Sequence, residues 1–386
     1  MREAFLGMPE PKREVIEEVW ERQGDVDLTE LYVQGGIQRV GELNPYVTLA
    51  CDLRCNYCYM FPFLQKAKDE SELMNRSFFN ALLDSVVQED DQLDRMTFLG
   101  GEPTLHPEIT SLVNDAADRP IKELRMTTNG VNLHHLDLEK IKSGAFEHVS
   151  ISIDGTSPEV NDITRGKGTF KRILRTMREY AQARVPLSVN YTVTNHNIDS
   201  LNETPDFFRD QGVSILNYHR ASMSGNAYSH PELIVGAYEW SVARDSLLSY
   251  IDSHSERLTG LTFRVPYIFL SPKQISEMGY VPIQDNNYHS PAGGHRLIVL
   301  PPTSKGQGLC YMSSDLIGEP HGELGRIMPD GTFEWNSHPD NELTAFKAAQ
   351  SVANISTVIT GQEALEHQPD SDLVRVSHSF KRTIKL

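Results

Sequence analysis

HVSISIDG, residues 148–155, alternates apolar and polar side chains with a period of two: Val149, Ile151 and Ile153 against Ser150, Ser152 and Asp154. LSVNYTVT, residues 187–194, repeats the pattern, with Val189, Tyr191 and Val193 set against Ser188, Asn190, Thr192 and Thr194. In a barrel wrapped by helices, the apolar set faces the helices and the polar set points into the lumen. A closed barrel fills its lumen with branched apolar side chains. A polar lumen therefore predicts an open barrel that holds a polar ligand, with its chemistry at the C-terminal ends of the strands.

Working outward, β-like runs occur at YVTLA (46–50), DRMTFL (94–99), ELRMTT (123–128) and VSILNYH (213–219), besides the two strands already quoted. Amphipathic stretches such as SFFNALLDSVVQ (77–88) and FKRILRTMREYAQA (170–183) lie between them, with apolar residues three and four apart. Alternating strands and helices imply crossover connections and a parallel sheet. The fold class expected is α/β: a partial (β/α)6 TIM-like barrel with a small C-terminal α+β extension. The chain divides accordingly into an N-terminal extension (1–45, with a helix near 11–22), a barrel core (46–225), a C-terminal region (226–350) and a tail (351–386). A helix is expected near 234–254; then come HRLIVLPP (295–302), the segment around Cys310, and GRIMPDGTFEW (325–335), which reads as a hairpin turning at Pro329-Asp330-Gly331.

The net charge of −17 argues against a general affinity for nucleic acid or anionic membranes, because the field of the whole protein repels polyanions. The N-terminus is too charged for a secretory signal, and no apolar run approaches a membrane span. A cytoplasmic protein is expected. Three of the four cysteines crowd into CDLRCNYC (51–58), with the spacing C-x3-C-x2-C. Thiols so close in sequence do not make a disulfide framework, and a reducing cytosol would not keep one. Metal or cluster ligation is the better reading.

Three thiolates on one short loop can converge on a cubane iron–sulfur cluster, which ordinarily takes four cysteines. A loop that supplies three leaves one iron open, and the opening suits a substrate or cosubstrate. The alternative is a zinc site completed by Cys310 or a histidine.

CDLRCNYC resembles the signature of the radical S-adenosylmethionine (SAM) superfamily. The resemblance implies that Cys51, Cys55 and Cys58 ligate one 4Fe–4S cluster, that SAM chelates the open iron, and that Tyr57 sits beside the adenine. Reductive cleavage of SAM would then yield a 5′-deoxyadenosyl radical that abstracts hydrogen from a C–H bond. FLGGEPTL (98–105) resembles the family's GGEP motif, and Gly100, Gly101 and Glu102 are expected to hold the SAM amino group; paired glycines allow close backbone approach. Thr128 and Asn129 end the third strand at the mouth, Ser152 and Asp154 point inward from the fourth, and Asn190 and Thr192 complete a ribose and methionine cradle. Arg165, in TRG, suits the SAM carboxylate; the bland alternative is a surface pair with Asp162. His219 and Arg220 are expected to line the site. Zinc alone accounts for none of the motifs after the cysteines.

SGNA (224–227), GLCYMSSD (308–315) and the 325–335 hairpin resemble the SPASM or twitch extension of relatives that bind further clusters. Here only Cys310 lies outside the signature, so one cluster is expected and the extension serves as lid or substrate platform. Cys310 is read as a buried structural cysteine, as a hydrogen-atom donor to a substrate radical, or as a lone ligand to another metal. The function expected is radical modification of a peptide, by epimerisation, crosslinking or backbone cleavage. The alternatives are an epimerase, dehydrogenase or decarboxylase of a small aminosugar or nucleoside natural product, and a non-enzymatic zinc-binding protein. Expected partners are the peptide or small-molecule substrate, an electron donor such as flavodoxin or ferredoxin, and, for a peptide, a separate leader-peptide-binding protein.

Overall fold

Strands β1 (Val40–Pro45), β2 (Leu93–Phe98), β3 (Ile121–Thr128), β4 (His148–Ser152), β5 (Leu187–Val193), β6 (Val213–Arg220) and β7 (Thr262–Pro266) pair in sequence order, each parallel to the next. The computed structural model describes residues 40–64, 73–87, 93–221, 225–266, 269–270, 281–282, 288–289, 295–300, 308–314, 322–327, 333–335, 374–375 and 381–386. The helix expected near 11–22 and the turn at 329–331 lie outside these residues.

The amphipathic stretches 77–88 and 170–183 and the segment near 234–254 form helices, as expected. Helix α1 (Phe61–Leu64) follows the cysteine loop, and α2 (Arg76–Val86) buries Phe78, Phe79, Leu82, Leu83 and Val86 on one face. Asn75 caps α2 by accepting from the Ser77 amide. Then come α3 (Ile109–Ala117), α4 (Pro158–Arg165), α5 (Thr169–Gln182), α6 (Thr204–Asp210) and α7 (Ala237–Ser253). Between β3 and β4 the described chain crosses in turns, without a helix. Helix α5 buries Phe170, Ile173, Met177 and Tyr180 in the same core as Val149, Ile151, Ile153, Val189, Tyr191 and Val193. The apolar set of each strand thus faces the helices, as the alternation requires.

Two expectations change. The first strand is Val40–Pro45, not 46–50. YVTLA leaves the strand and makes loop contacts instead: Tyr46 bridges to Leu99, and Thr48 and Ala50 accept from the amides of Gly101 and Glu102. The βα rhythm also runs one unit further, because α7 leads to β7. On the far side, strand His295–Leu300 pairs parallel with β1, and Gly308–Ser314, Gly322–Ile327 and Phe333–Trp335 follow antiparallel. The last two are the strands of the expected hairpin. Lys381–Lys385 closes the opposite edge by pairing antiparallel with β7. The extension therefore continues the barrel sheet, which has twelve strands among the described residues.

The lumen is polar. Ser150 and Ser188 stand in register and share a hydrogen bond of 2.6 Å. Strands β4 and β7 are three steps apart, about 14 Å in a flat sheet. Yet Arg264 on β7 acts electrostatically on His148 on β4. The sheet curls, and the two side chains face the same interior.

Burial, reinforced by Arg125, Arg264 and Arg95, pulls His148 down to about 3. A histidine depressed in the fold stabilises above its unfolded pKa of about 6.5 and loses that contribution as pH falls. Acidification from pH 7 to 5 should cost about 2 kcal/mol through this one group. Urea unfolding at the two pH values checks it: His148→Gln should flatten the dependence.

Candidate active site

The cysteine loop lies at the C-terminal end of the strands and is held from three sides. The Asn56 amide donates to Thr164 O on α4 at 3.0 Å. Asn226 clamps the loop twice, from Nδ2 to Cys55 O and from its own amide to Cys58 O, both at 3.0 Å. Gly225 sits so close that a Cβ would meet Cys58 O at 2.3 Å, and its φ of +52° also favours glycine. Tyr46 and Tyr59 join through their hydroxyls at 2.6 Å.

The three cysteines are half-buried. Burial pushes the Cys51 and Cys58 thiols up to about 12 and raises Cys55 too, with the mutual influence of neighbouring thiols adding to Cys51 and Cys58. Such a loop needs a bound metal cation to hold its sulfurs as thiolates. Among the described residues, no three His, Cys, Asp or Glu side chains stand close enough to hold one metal ion. The thiolates of a cubane bind separate irons and need not be so close. Three cysteine sulfurs are the donors of a cubane that leaves one iron open, whereas a tetrahedral zinc ion would need a fourth donor besides them.

The expected ligand-binding residues form two groups with different surroundings. Glu102, fully buried, accepts at Oε1 from the Thr104 amide (3.1 Å), Thr104 Oγ1 (2.7 Å) and Thr128 Oγ1 (2.7 Å), and at Oε2 from the Asn129 amide (2.6 Å). Burial raises its pKa despite these donors. Asn129 also donates through Nδ2 to Asp52 beside the first cysteine, at 2.7 Å, and Asp52 meets His134 at 3.2 Å. This cluster ties the ends of β2 and β3 to the cysteine loop.

Asp154 is the second buried hub. Its Oδ2 accepts from Tyr57 at 2.5 Å and from Thr164 Oγ1 at 2.9 Å, and its Oδ1 accepts from the Thr192 amide at 3.1 Å. Arg165 donates to the Tyr57 hydroxyl at 2.6 Å and lies 3.7 Å from Asp154. Asp162 is occupied elsewhere: it caps α5, accepting from the amides of Gly168 and Phe170. The surface pair with Arg165 does not form.

Ser152, Asn190 and Thr192 make up the open group. Ser152 stands in register with Asn190, and Thr192 with His219, all half-buried on the lumen side. Arg220 falls on the opposite face, in register with Val193, and reaches Val235 O; strand alternation excludes it from the lumen. Cys310 lies on Gly308–Ser314, opposite Val299 and Gly325, and its side chain lies outside the described residues.

Gly100 and Gly101 pack against protein backbone. A Cβ would meet Thr48 O at 2.5 Å from Gly100 and Ala50 O at 2.3 Å from Gly101. Gly101→Ala should destabilise the cluster-free protein by about 1–3 kcal/mol, since the obstructing atom is main chain. Thermal unfolding measures it.

Sequence reading missed Asp52, His134, Thr164 and Asn226 as parts of this assembly. Only SGNA carried a signal.

A parallel α/β barrel with a polar lumen, a three-cysteine loop at its mouth and a Gly-Gly-Glu turn locked onto that loop defines a class of iron–sulfur enzymes. Residues 46–208 match the Radical SAM superfamily. The cofactors of that superfamily are a 4Fe–4S cluster and SAM. The chain is 28% identical over 211 residues to mycofactocin maturase MftC of Mycobacterium ulcerans, covering 51% of this chain and 54% of the relative. It is 28% identical over 190 residues to the PqqA peptide cyclase of Ruegeria pomeroyi (48% of each chain). It is 24% identical over 180 residues to a probable GTP 3′,8-cyclase of Methanocaldococcus jannaschii (46% and 57%). The chain spans about half the length of these curated relatives. Among solved structures, Streptococcus suis SuiB bound to its precursor peptide SuiA aligns with a TM-score of 0.48 at 18% identity, covering 58% of this chain and 49% of that one.

Proposed function

We propose that this chain is a radical SAM enzyme that modifies a peptide at a C–H bond. The observation that carries the reading is the three-cysteine loop clamped over a polar lumen at the C-terminal ends of the strands. When bound, the cluster and SAM supply a 5′-deoxyadenosyl radical. The protein's part is to hold the loop rigid through Asn226 and Thr164, and to keep Ser152, Asn190 and Thr192 open for SAM and substrate. Gly100, Gly101 and Glu102 are the candidates for the SAM amino group; Glu102 Oε1 already accepts three hydrogen bonds, while Oε2 accepts one and keeps a lone pair for an ammonium. Arg165 and Tyr57 bear on SAM from the Asp154 hub.

The peptide class is supported by the names of two relatives, a maturase and a peptide cyclase. A small-molecule substrate is the second reading, supported by the GTP cyclase relatives and by the charged lumen. The direct test is 5′-deoxyadenosine formation when anaerobically reconstituted protein meets SAM and dithionite; no product would end the catalytic reading.

Cys310 as hydrogen-atom donor remains part of the proposal. Cys310→Ala, turned over in heavy water, should change product identity and deuterium incorporation. Unchanged product would remove the role.

A further inference from the structure

The floor of the lumen, below Ser150 and Ser188, is built from charges that SAM binding does not use. In register across the strands lie Glu42 with Arg95, Arg95 with Glu123, and Arg125 with His148, while Arg264 stands opposite Asn217. Arg95 Nε and Arg125 Nη2 both donate to Glu123 Oε2, at 2.8 and 2.6 Å, and Arg95 Nη1 lies 3.5 Å from Glu42. Arg264 reaches Asn217 Oδ1 at 3.4 Å.

A purely structural ion-pair layer balances its charges and satisfies its donors. This one does neither. Among the described residues it sets three guanidiniums against two carboxylates. Arg125 Nε and His148 Nδ1, on residues 8% and 2% exposed, have no hydrogen-bond partner. Burial, with the nearby Arg95 and Arg264, pulls Arg125 down to about 10 against the opposing pull of Glu123 and Glu42. Arg95 is 35% exposed on its side chain, so solvent reaches the layer.

We propose that Arg95, Arg125, Arg264 and His148 form an oxyanion subsite that takes a carboxylate or phosphate group of the substrate. The inference rests on the reading that substrate enters the lumen from the mouth. His148 and Ser152 are four residues apart on β4, so the anionic group lies roughly 13 Å below the reacting end. A short peptide with a deep-reaching carboxylate fits that span, as does a phosphorylated small molecule.

The test titrates the reconstituted full-length protein with sodium phosphate and with sodium acetate, against sodium chloride at matched ionic strength, following thermal unfolding. Phosphate or acetate should raise Tm saturably where chloride does not; the tighter of the two identifies the substrate's anion. Arg264→Gln should weaken that anion by about tenfold or more, the loss of one charge-assisted hydrogen bond, and Arg264→Lys should restore part of it. The substitution removes only the long contact to Asn217; should it not fold, Arg95→Gln replaces it. Equal responses to all three salts, or the same anion response in wild type and variant, overturn the subsite. Anion binding through Arg264 without any 5′-deoxyadenosine formation overturns the catalytic reading alone. The converse pair of results overturns the subsite alone.

Discussion

Alanine in place of Cys55 is expected to take the iron of anaerobically reconstituted protein from about four per chain to background, and to abolish 5′-deoxyadenosine formation, while leaving the fold intact. The bonds that hold the loop are independent of the Cys55 side chain: Cys55 O accepts from Asn226 Nδ2 and from the Cys58 amide, and the Asn56 amide donates to Thr164 O. None uses the Cys55 sulfur. The substitution therefore removes a ligand and leaves its scaffold. Iron and sulfide analysis beside far-ultraviolet circular dichroism separates the two effects. One zinc per chain in the wild type, with little iron, would contradict the cluster.

Glu102→Gln is expected to destabilise the protein by about 2–4 kcal/mol even without cluster or SAM. Each carboxylate oxygen faces a backbone amide, Thr104 on one side and Asn129 on the other. Neither N–H can turn round. Wherever glutamine places its NH2, donor meets donor in a fully buried site. If Glu102 served only as a SAM ligand, the cluster-free variant would unfold like the wild type. Urea unfolding of the two cluster-free proteins decides between these roles.

Much of the barrel was legible because strand alternation is a local property. Ser150 and Val149 differ in which side of β4 they occupy, and the period of two states that without knowledge of any other strand. The first strand was misplaced for a related reason. YVTLA is more apolar than VGELNP, but its hydrogen bonds go to the Gly-Gly-Glu turn, and Glu42 belongs in a strand because a charged lumen receives it. The charges of β2 and β3 are indistinguishable in sequence from those of a solvated face. Curling of the sheet brings Arg95, Arg125 and Arg264 to one interior.

The site residues divide along the same line. The three cysteines declared their chemistry by spacing alone, since thiols three and two residues apart on one loop serve few other purposes. Glu102 and Asp154 did not, because a carboxylate that binds a ligand and one that pins two loops look the same until their donors are in place. Asn226 lies 171 residues from the cysteine whose carbonyl it clamps.

By itself the sequence determined the two faces of each central strand, the parallel order of the barrel and the thiol loop at its mouth, because each depends on residues close together along the chain. The tertiary structure alone decided which polar side chains are buried anchors, which remain open to a ligand, and that the lumen floor gathers excess positive charge. Those depend on distances between strands that meet only when the sheet curls, and hydrogen bonding and Coulomb interaction act through space.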